Sequence, residues 1–156
     1  LQEPGLAMKV RPLEPRDRTA WAAMRAALWP DENADRLAHE TLMHFSGAPV
    51  AEAVFICADI DGGACGFLEL NLRPYAEGCA SSPVPFIEAW FVAPHARHKG
   101  AGRLLVEGAE HWAILRNFTE IGSDTQLENA QSQGAHAALG YEEVERLVTF
   151  RKSLRV

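Results

Sequence analysis

Residues 91–105, FVAPHARHKGAGRLL, constrain the fold more than any other stretch of this chain. An apolar run ends at Val92, a loop containing Arg97-x-x-Gly100-x-Gly102 follows, and a helical pattern begins there. A buried strand that feeds directly into a helix demands a layered arrangement in which helices pack back on a sheet. The glycines let backbone approach a ligand closely, and the first-turn N–H groups of the helix have no intrahelical partner. The helix dipole favours an anion at that end by about 0.3–1 kcal/mol when exposed. Arg97, Lys99 and Arg103 gather here, whereas residues 74–96 hold no Lys or Arg and carry Glu77 and Glu88. Such a turn suits a pyrophosphate, although a glycine-containing helix start with solvated basic side chains reads the same way. The GxGxxG of a dinucleotide fold and the GKS/T of a P-loop are both absent.

With 156 residues, 47% of them hydrophobic, the chain is long and apolar enough to bury a core of its own. Fifteen Lys+Arg against twenty-one Asp+Glu leave a net charge of -6. That argues against a general nucleic-acid binder, which needs a basic face, and favours a cationic small molecule. No apolar run approaches a membrane span and no leader pattern opens the chain, so the expectation is a cytoplasmic protein without membrane contact. Cys57, Cys65 and Cys79 show no CxxC spacing and read as reduced thiols. Residues 1–7 precede Met8 and read as an expression-vector remnant, leaving residues 8–156 as one domain.

A first strand is expected over residues 8–13. Pro15 opens a helix with Trp21, Met24 and Leu28 on one face, and Pro30 stops it. Asn33 or Asp35 can cap a second helix, whose Leu37, Thr41, Leu42 and Phe45 share a face. Strands follow over 52–59, 67–73 and 85–92, the first two joined by the turn Asp61-Gly62-Gly63. A helix over 102–116, a strand over 120–125, a helix over 129–139 and a last strand over 141–151 complete the order. The order β-α-α-β-β-β-α-β-α-β predicts an α/β (α+β) fold with a mixed, mostly antiparallel sheet flanked by helices.

The chain resembles the GNAT superfamily of acetyl-CoA-dependent N-acetyltransferases. The resemblance rests on Arg97 to Gly102 after a strand, and on Asn129, His136 and Gly140-Tyr141 further on. It is closer still to the aminoglycoside 6′-N-acetyltransferases, through Leu28-Trp29-Pro30, Gly78-Cys79, Ser81-Ser82-Pro83, Ser123-Asp124-Thr125, Glu128-Asn129 and Ala138-Leu139-Gly140-Tyr141. The resemblance implies that Trp90, Phe91 and Val92 hydrogen-bond a pantetheine arm through their backbone. It implies that the amides of His98, Lys99, Gly100, Ala101, Gly102 and Arg103 cradle the pyrophosphate, and that Asn129 contacts the cosubstrate. Trp29, Tyr75, Glu88, Asp124 and Glu145 fall where this branch contacts its aminoglycoside. Where most of the superfamily has a tyrosine as acid for the leaving thiolate, this chain has His136. Members of the branch are often homodimers, and the apolar residues Leu147, Val148 and Phe150 offer a strand edge for pairing between chains.

Acetyl transfer needs a neutral amine, and neutralising an alkylammonium near pH 7 costs on the order of 4 kcal/mol. Glu88 is the best base, a lone carboxylate within PFIEAWFV, where a charge is costly without a task or partner. The alternative is an outward-facing polar residue of an alternating strand. Asp124 closes the next strand, where ligands gather in open sheets, or else caps a turn. Residues 117–145 hold six acids and no Lys or Arg, which suits a polycation or a solvated face; Glu145 fits either. Trp29 and Tyr75 can stack on sugars or cations, or Trp29 can be core. His136 is an acid or a helix-surface histidine. His39-Glu40 and His44 are one residue longer than HExxH, placing the imidazoles about 140° apart on a helix, so no metal is expected. The competing functions are acetylation of a polyamine or peptide amine, and a non-catalytic acyl-CoA-binding module.

Overall fold

The computed structural model describes residues 8–155; the segment 1–7 read as a vector remnant lies outside them. The described residues form two compact units that divide after Ser123. The first holds β1 (Lys9–Pro12), α1 (Arg18–Leu28), α2 (Ala34–His44), β2 (Ala53–Ala58), β3 (Ala64–Arg73), β4 (Val84–Val92), α3 (Ala101–Leu115) and β5 (Gly122–Ser123). Its sheet runs in the order β1-β2-β3-β4-β5, antiparallel throughout except for the parallel pair β4–β5. The expected mixed sheet is therefore present. The second unit holds α4 (Ala130–Ala138).

Local chemistry sets the element boundaries. Asp17 accepts from Arg11 Nη1 and Nη2 at 2.7 and 2.9 Å and from the Glu14 amide at 2.8 Å, which ties the end of β1 to the start of α1. Asn33 is the cap of α2, its Oδ1 accepting the Arg36 amide at 2.9 Å. Asp59 Oδ1 accepts the amides of Asp61 and Gly63, and Gly62 takes the positive φ of +84° that this hairpin turn requires.

The two faces of the sheet are covered differently. Trp21 and Met24 of α1 pack with Val54, Ile56, Phe67, Ala89 and Phe91. On the other face α3 crosses the strands, with Gly108 so close to β1 and β2 that a Cβ there would stand 2.9 Å from Val10 Cγ1. A charged cluster lies in the α1 layer. Glu69 is 4% exposed and Arg25 5%; Arg25 Nε donates to Glu69 Oε1 at 2.7 Å and Trp21 Nε1 donates to the same oxygen at 3.0 Å. Arg25 also donates to Glu40 Oε2 at 2.8 Å and to the Leu37 carbonyl at 3.2 Å, so it joins α1, α2 and β3.

The pairing of β3 with β4 slips beside Glu69. Glu69 faces Ala89 but Leu70 faces Ile87, leaving Glu88 as the extra residue of a β-bulge. Cross-strand partners share a sheet face, so the slip ends simple alternation along PFIEAWFV. Trp90, opposite Leu68, lies on the α3 side, while Ala89 and Phe91 join the α1 layer.

Three expectations need correction. The strand over 120–125 is reduced to Gly122–Ser123, because only Phe86 and Ile87 of β4 lie alongside it. Residues 141–151 form no strand: within their own unit no strand offers the hydrogen-bond ladder an extended segment needs, and Val148 and Phe150 are 65% and 93% exposed. On α2, Leu37 and Thr41 are buried and Leu42 lies off that face, exposed; Phe45, the residue just past the helix, is 36% exposed with its ring edge-on to Trp21 at 6.3 Å.

Removing one member of a buried ion pair leaves the other uncompensated, at about 3–5 kcal/mol. Arg25→Ala is expected to lower stability by about that much in urea unfolding. The pair replacement Arg25→Met with Glu69→Leu is expected to recover most of the loss.

Candidate active site

β4 has two different edges. Its inner edge pairs with β3 along its length, but β5 pairs with it only at Phe86 and Ile87. From Glu88 to Val92, β5 no longer accompanies the outer edge. Beyond Val92, where Arg97 Nε donates to the Val92 carbonyl at 2.9 Å, the chain turns into α3. His98 and Gly100 adopt positive φ values of +61° and +90°, and Gly100 is the N-cap residue of α3. Ala101, 1% exposed, anchors the turn in the core, while Lys99 and Arg103 are exposed. Gly102 has a packing reason to be glycine. Its carbonyl accepts Trp90 Nε1 at 3.2 Å, and a Cβ would stand 3.2 Å from Trp90 Cζ2. The unpaired amides and dipole of the α3 N-terminus thus lie at the end of an open strand edge.

Glu88, on the bulge, is half-buried. Arg73, at the end of β3, holds both its oxygens: Nε donates to Oε1 at 2.8 Å and Nη2 to Oε2 at 2.7 Å. The same guanidinium lies 3.5 Å from the centre of the Phe86 ring. Glu88 is therefore neither a merely solvated residue nor an uncompensated charge. Trp29, just past α1, packs against the α1-layer cluster and stacks 5.0 Å from the Arg25 guanidinium. Tyr75, two residues past Arg73, is 67% exposed.

The loop after β3 is held by Glu120. Its carboxylate accepts the amides of Ala80 at 2.9 and 3.2 Å and of Ser81 at 2.8 Å, and Ser82 Oγ donates to the Pro74 carbonyl at 2.6 Å. Hydrogen bonding from Ser81 first, and from Ala80, holds the Glu120 carboxyl below its usual range. Glu120 is one of the six acids of residues 117–145, and its carboxylate braces the loop that holds Tyr75. The cysteines do not suit covalent catalysis. Burial pushes the Cys57 thiol up to about 12, and those of Cys65 and Cys79 also rise, chiefly from burial.

In the second unit Asn129 caps α4, its Oδ1 accepting the Ser132 amide at 3.0 Å, which leaves its amide nitrogen as the group that can meet a ligand. His136 Nδ1 lies 2.7 Å from the Ser132 carbonyl, an acceptor only, so this nitrogen carries the proton. The imidazole meets the Tyr141 ring edge-on at 5.7 Å. Asp124 and Glu145 are exposed. His44, from the metal-like spacing, accepts the Val50 amide at Nδ1, and no three His, Cys, Asp or Glu side chains cluster for a metal among the described residues. Sequence reasoning missed Arg73, whose signal was a lone cation ending an alternating strand.

The Acetyltransferase (GNAT) family matches residues 18–141, a span that includes β4 and the glycine-shaped N-terminus of α3. The chain belongs to that family. It is 47% identical to an aminoglycoside N(6′)-acetyltransferase type 1 of Klebsiella aerogenes over 93% of this chain and 96% of that protein. It is 40% identical to one of Stenotrophomonas maltophilia, covering 95% of each. Among solved structures, AAC(6′)-Iy bound to the bisubstrate analog CoA-S-monomethyl-acetylneamine superposes with a TM-score of 0.82 at 35% identity, covering 94% of this chain and 99% of that one.

Glu120's depressed titration carries a sign: its hydrogen bonds are fully present above its usual 4.5 and are lost as pH falls through its lower folded value. Hydrogen-exchange protection of the Ala80 and Ser81 amides is expected to persist through the usual carboxylate range and to decline only below it. Glu120→Ala is expected to abolish that protection at every pH.

Proposed function

We propose that this chain transfers acetyl from acetyl-CoA to the 6′-amine of aminoglycoside antibiotics by direct attack in a ternary complex, giving resistance. The observation that carries this reading is the register slip at Glu88. One short stretch of β4 presents a carboxylate on one face and an open backbone edge leading to the α3 N-terminus. The names of the relatives narrow the acceptor to aminoglycosides.

The residues present fit acetyl-CoA. Backbone groups of Trp90, Phe91 and Val92 suit the amide-bearing pantetheine arm, with the Val92 carbonyl shared with Arg97. The amides of His98, Lys99, Gly100, Ala101, Gly102 and Arg103 suit the pyrophosphate, and the Asn129 amide nitrogen adds a donor. Glu88 accepts the proton that the acceptor ammonium must lose, directly or through water. The amine nitrogen then bonds to the thioester carbon, backbone N–H groups of β4 stabilise the oxygen that gains charge, and the C–S bond breaks. The leaving sulfur takes up one proton. With Nδ1–H donating to Ser132, His136 can supply that proton only as the imidazolium. Trp29, Tyr75, Asp124 and Glu145 are the further aminoglycoside contacts in this reading, the two acids meeting its other ammonium groups.

The same reading puts the enzyme in the cytoplasm, where acetyl-CoA is made and thiols stay reduced. It also makes the enzyme a homodimer, which the exposed Val144, Leu147, Val148 and Phe150 support, since strand pairing between copies would cover them.

Turnover of acetyl-CoA is expected with an aminoglycoside bearing a 6′-amine and not with one bearing a 6′-hydroxyl; thiol release with neither would overturn the assignment and lead to polyamine and peptide acceptors. Glu88→Gln is expected to lower kcat by about 100-fold or more, as removal of a general base does. In analytical ultracentrifugation the protein is expected to sediment as a dimer, and Val148→Asp with Phe150→Asp as a monomer.

A further inference from the structure

Glu88 is held by a group that the chemistry of acetyl transfer does not require. Arg73 approaches its carboxylate as a fork, with two near-parallel hydrogen bonds of 2.8 and 2.7 Å. This is the geometry that makes guanidinium–carboxylate pairs specific. The guanidinium is backed by the Phe86 ring at 3.5 Å, a cation–π contact that fixes its plane. Both pair members are reachable, with side-chain exposures of 36% for Arg73 and 27% for Glu88. An acceptor amine arrives as an ammonium ion and needs the oxygens that the fork covers. Two cations of like charge cannot share the inner face of one carboxylate without repulsion.

The geometry points to Arg73 as an internal competitor for the acceptor: its guanidinium fills the seat on Glu88 that a cationic amine must take. This inference rests on Glu88 being the carboxylate the acceptor engages. The fork compensates a charge set in an apolar strand, and because the pair is partly exposed, a cation can displace it at modest cost. Tight binding then requires an acceptor with further ammonium groups to be held elsewhere, since a monoamine exchanges one ion pair for another. A fully buried pair would bar the exchange. Arg73 is thus a specificity-determining residue that raises the threshold for every cation at Glu88.

The test is a gain of affinity on losing a contact. Arg73→Gln is expected to lower KM for a polyamino 6′-amine acceptor by about 3–5-fold, the weight of a partly exposed ion pair, with KM for acetyl-CoA unchanged. Arg73→Lys, which keeps the charge, is expected to return KM most of the way. An arginine that merely props the end of β3 would give the opposite, a raised KM alongside a lower melting temperature. An unchanged or raised acceptor KM in folded Arg73→Gln overturns the inference while leaving the acetyltransferase reading intact. Calorimetric titration with the same polyamine separates the two ideas. If wild type turns over no amine, the functional reading fails, and the inference stands only if Arg73→Gln binds the polyamine about 3–5-fold more tightly and adding Glu88→Gln removes the gain. Equal binding by wild type and Arg73→Gln overturns it.

Discussion

The first unit is organised around one buried carboxylate. Glu69 sits in the middle of β3 at 4% exposure, which would be prohibitive for a bare charge. Burial pushes its carboxyl upward, while the adjacent Arg25 guanidinium and the Trp21 indole favour the ionised form. Those donors come from α1, and the other arm of Arg25 reaches Glu40 on α2. Satisfying Glu69 therefore fixes where both helices lie over the sheet. It also fixes the strand: a shift of one residue along β3 would turn Glu69 to the α3 face and strand its charge among apolar side chains. The slip between β3 and β4 falls at this residue, so the anchored position and the bulge occupy one place.

That place governs what β4 can do. Without the extra residue, Trp90 would share a face with Phe91's neighbours in the α1 layer, and its indole could not reach the Gly102 carbonyl at the start of α3. With it, Trp90 supports the α3 N-terminus from below and Glu88 stays on the opposite face with Arg73 and Phe86. β5 accompanies β4 only to Ile87. The ladder between β4 and β5 thus ends at the residue before the bulge, and in the proposed reading the backbone edge beyond it serves the pantetheine arm. Gly102 follows from the same geometry, since a Cβ there would stand 3.2 Å from Trp90 Cζ2 and the indole would have to give by a few tenths of an ångström.

Much of this was legible in local text. The Asn33 cap, the Gly62 turn, the buried Trp21 and Met24 stripe and the glycine loop before α3 all depend on residues within a few positions of each other. Even the lone Glu88 was conspicuous, because a charge inside PFIEAWFV violates the pattern around it. What could not be read was pairing across the fold. Arg73 and Glu88 are brought together by strand register, and the bulge that defines the register leaves no mark in the sequence. Glu120 looked like one more acid in an acidic stretch, yet it is bound to the backbone of a loop forty residues earlier. The last strand failed for the complementary reason. Leu147, Val148 and Phe150 have strand propensity, but propensity provides no partner, and their own unit offers none.

The charge distribution has a consequence for the acceptor. A net charge of -6 suggests a surface of available carboxylates, but many of the acids are already engaged. Asp17 is held by Arg11, Glu40 and Glu69 by Arg25, Glu88 by Arg73, and Glu143 by Arg146. At these acids the attraction of a cation is an exchange of partners rather than the filling of a bare site, and its strength depends on burial. Glu69 lies too deep for its partner to be replaced by anything arriving from solvent, so it is a structural anion. Glu88 lies shallow enough that a hydrated ammonium can reach it, and its present partner is also a cation on a long, flexible stem. Two carboxylates on adjacent strands, each with an arginine, thus divide by depth alone. One holds α1 and α2 over the sheet, and the other, in the proposed reaction, would exchange its arginine for the acceptor amine.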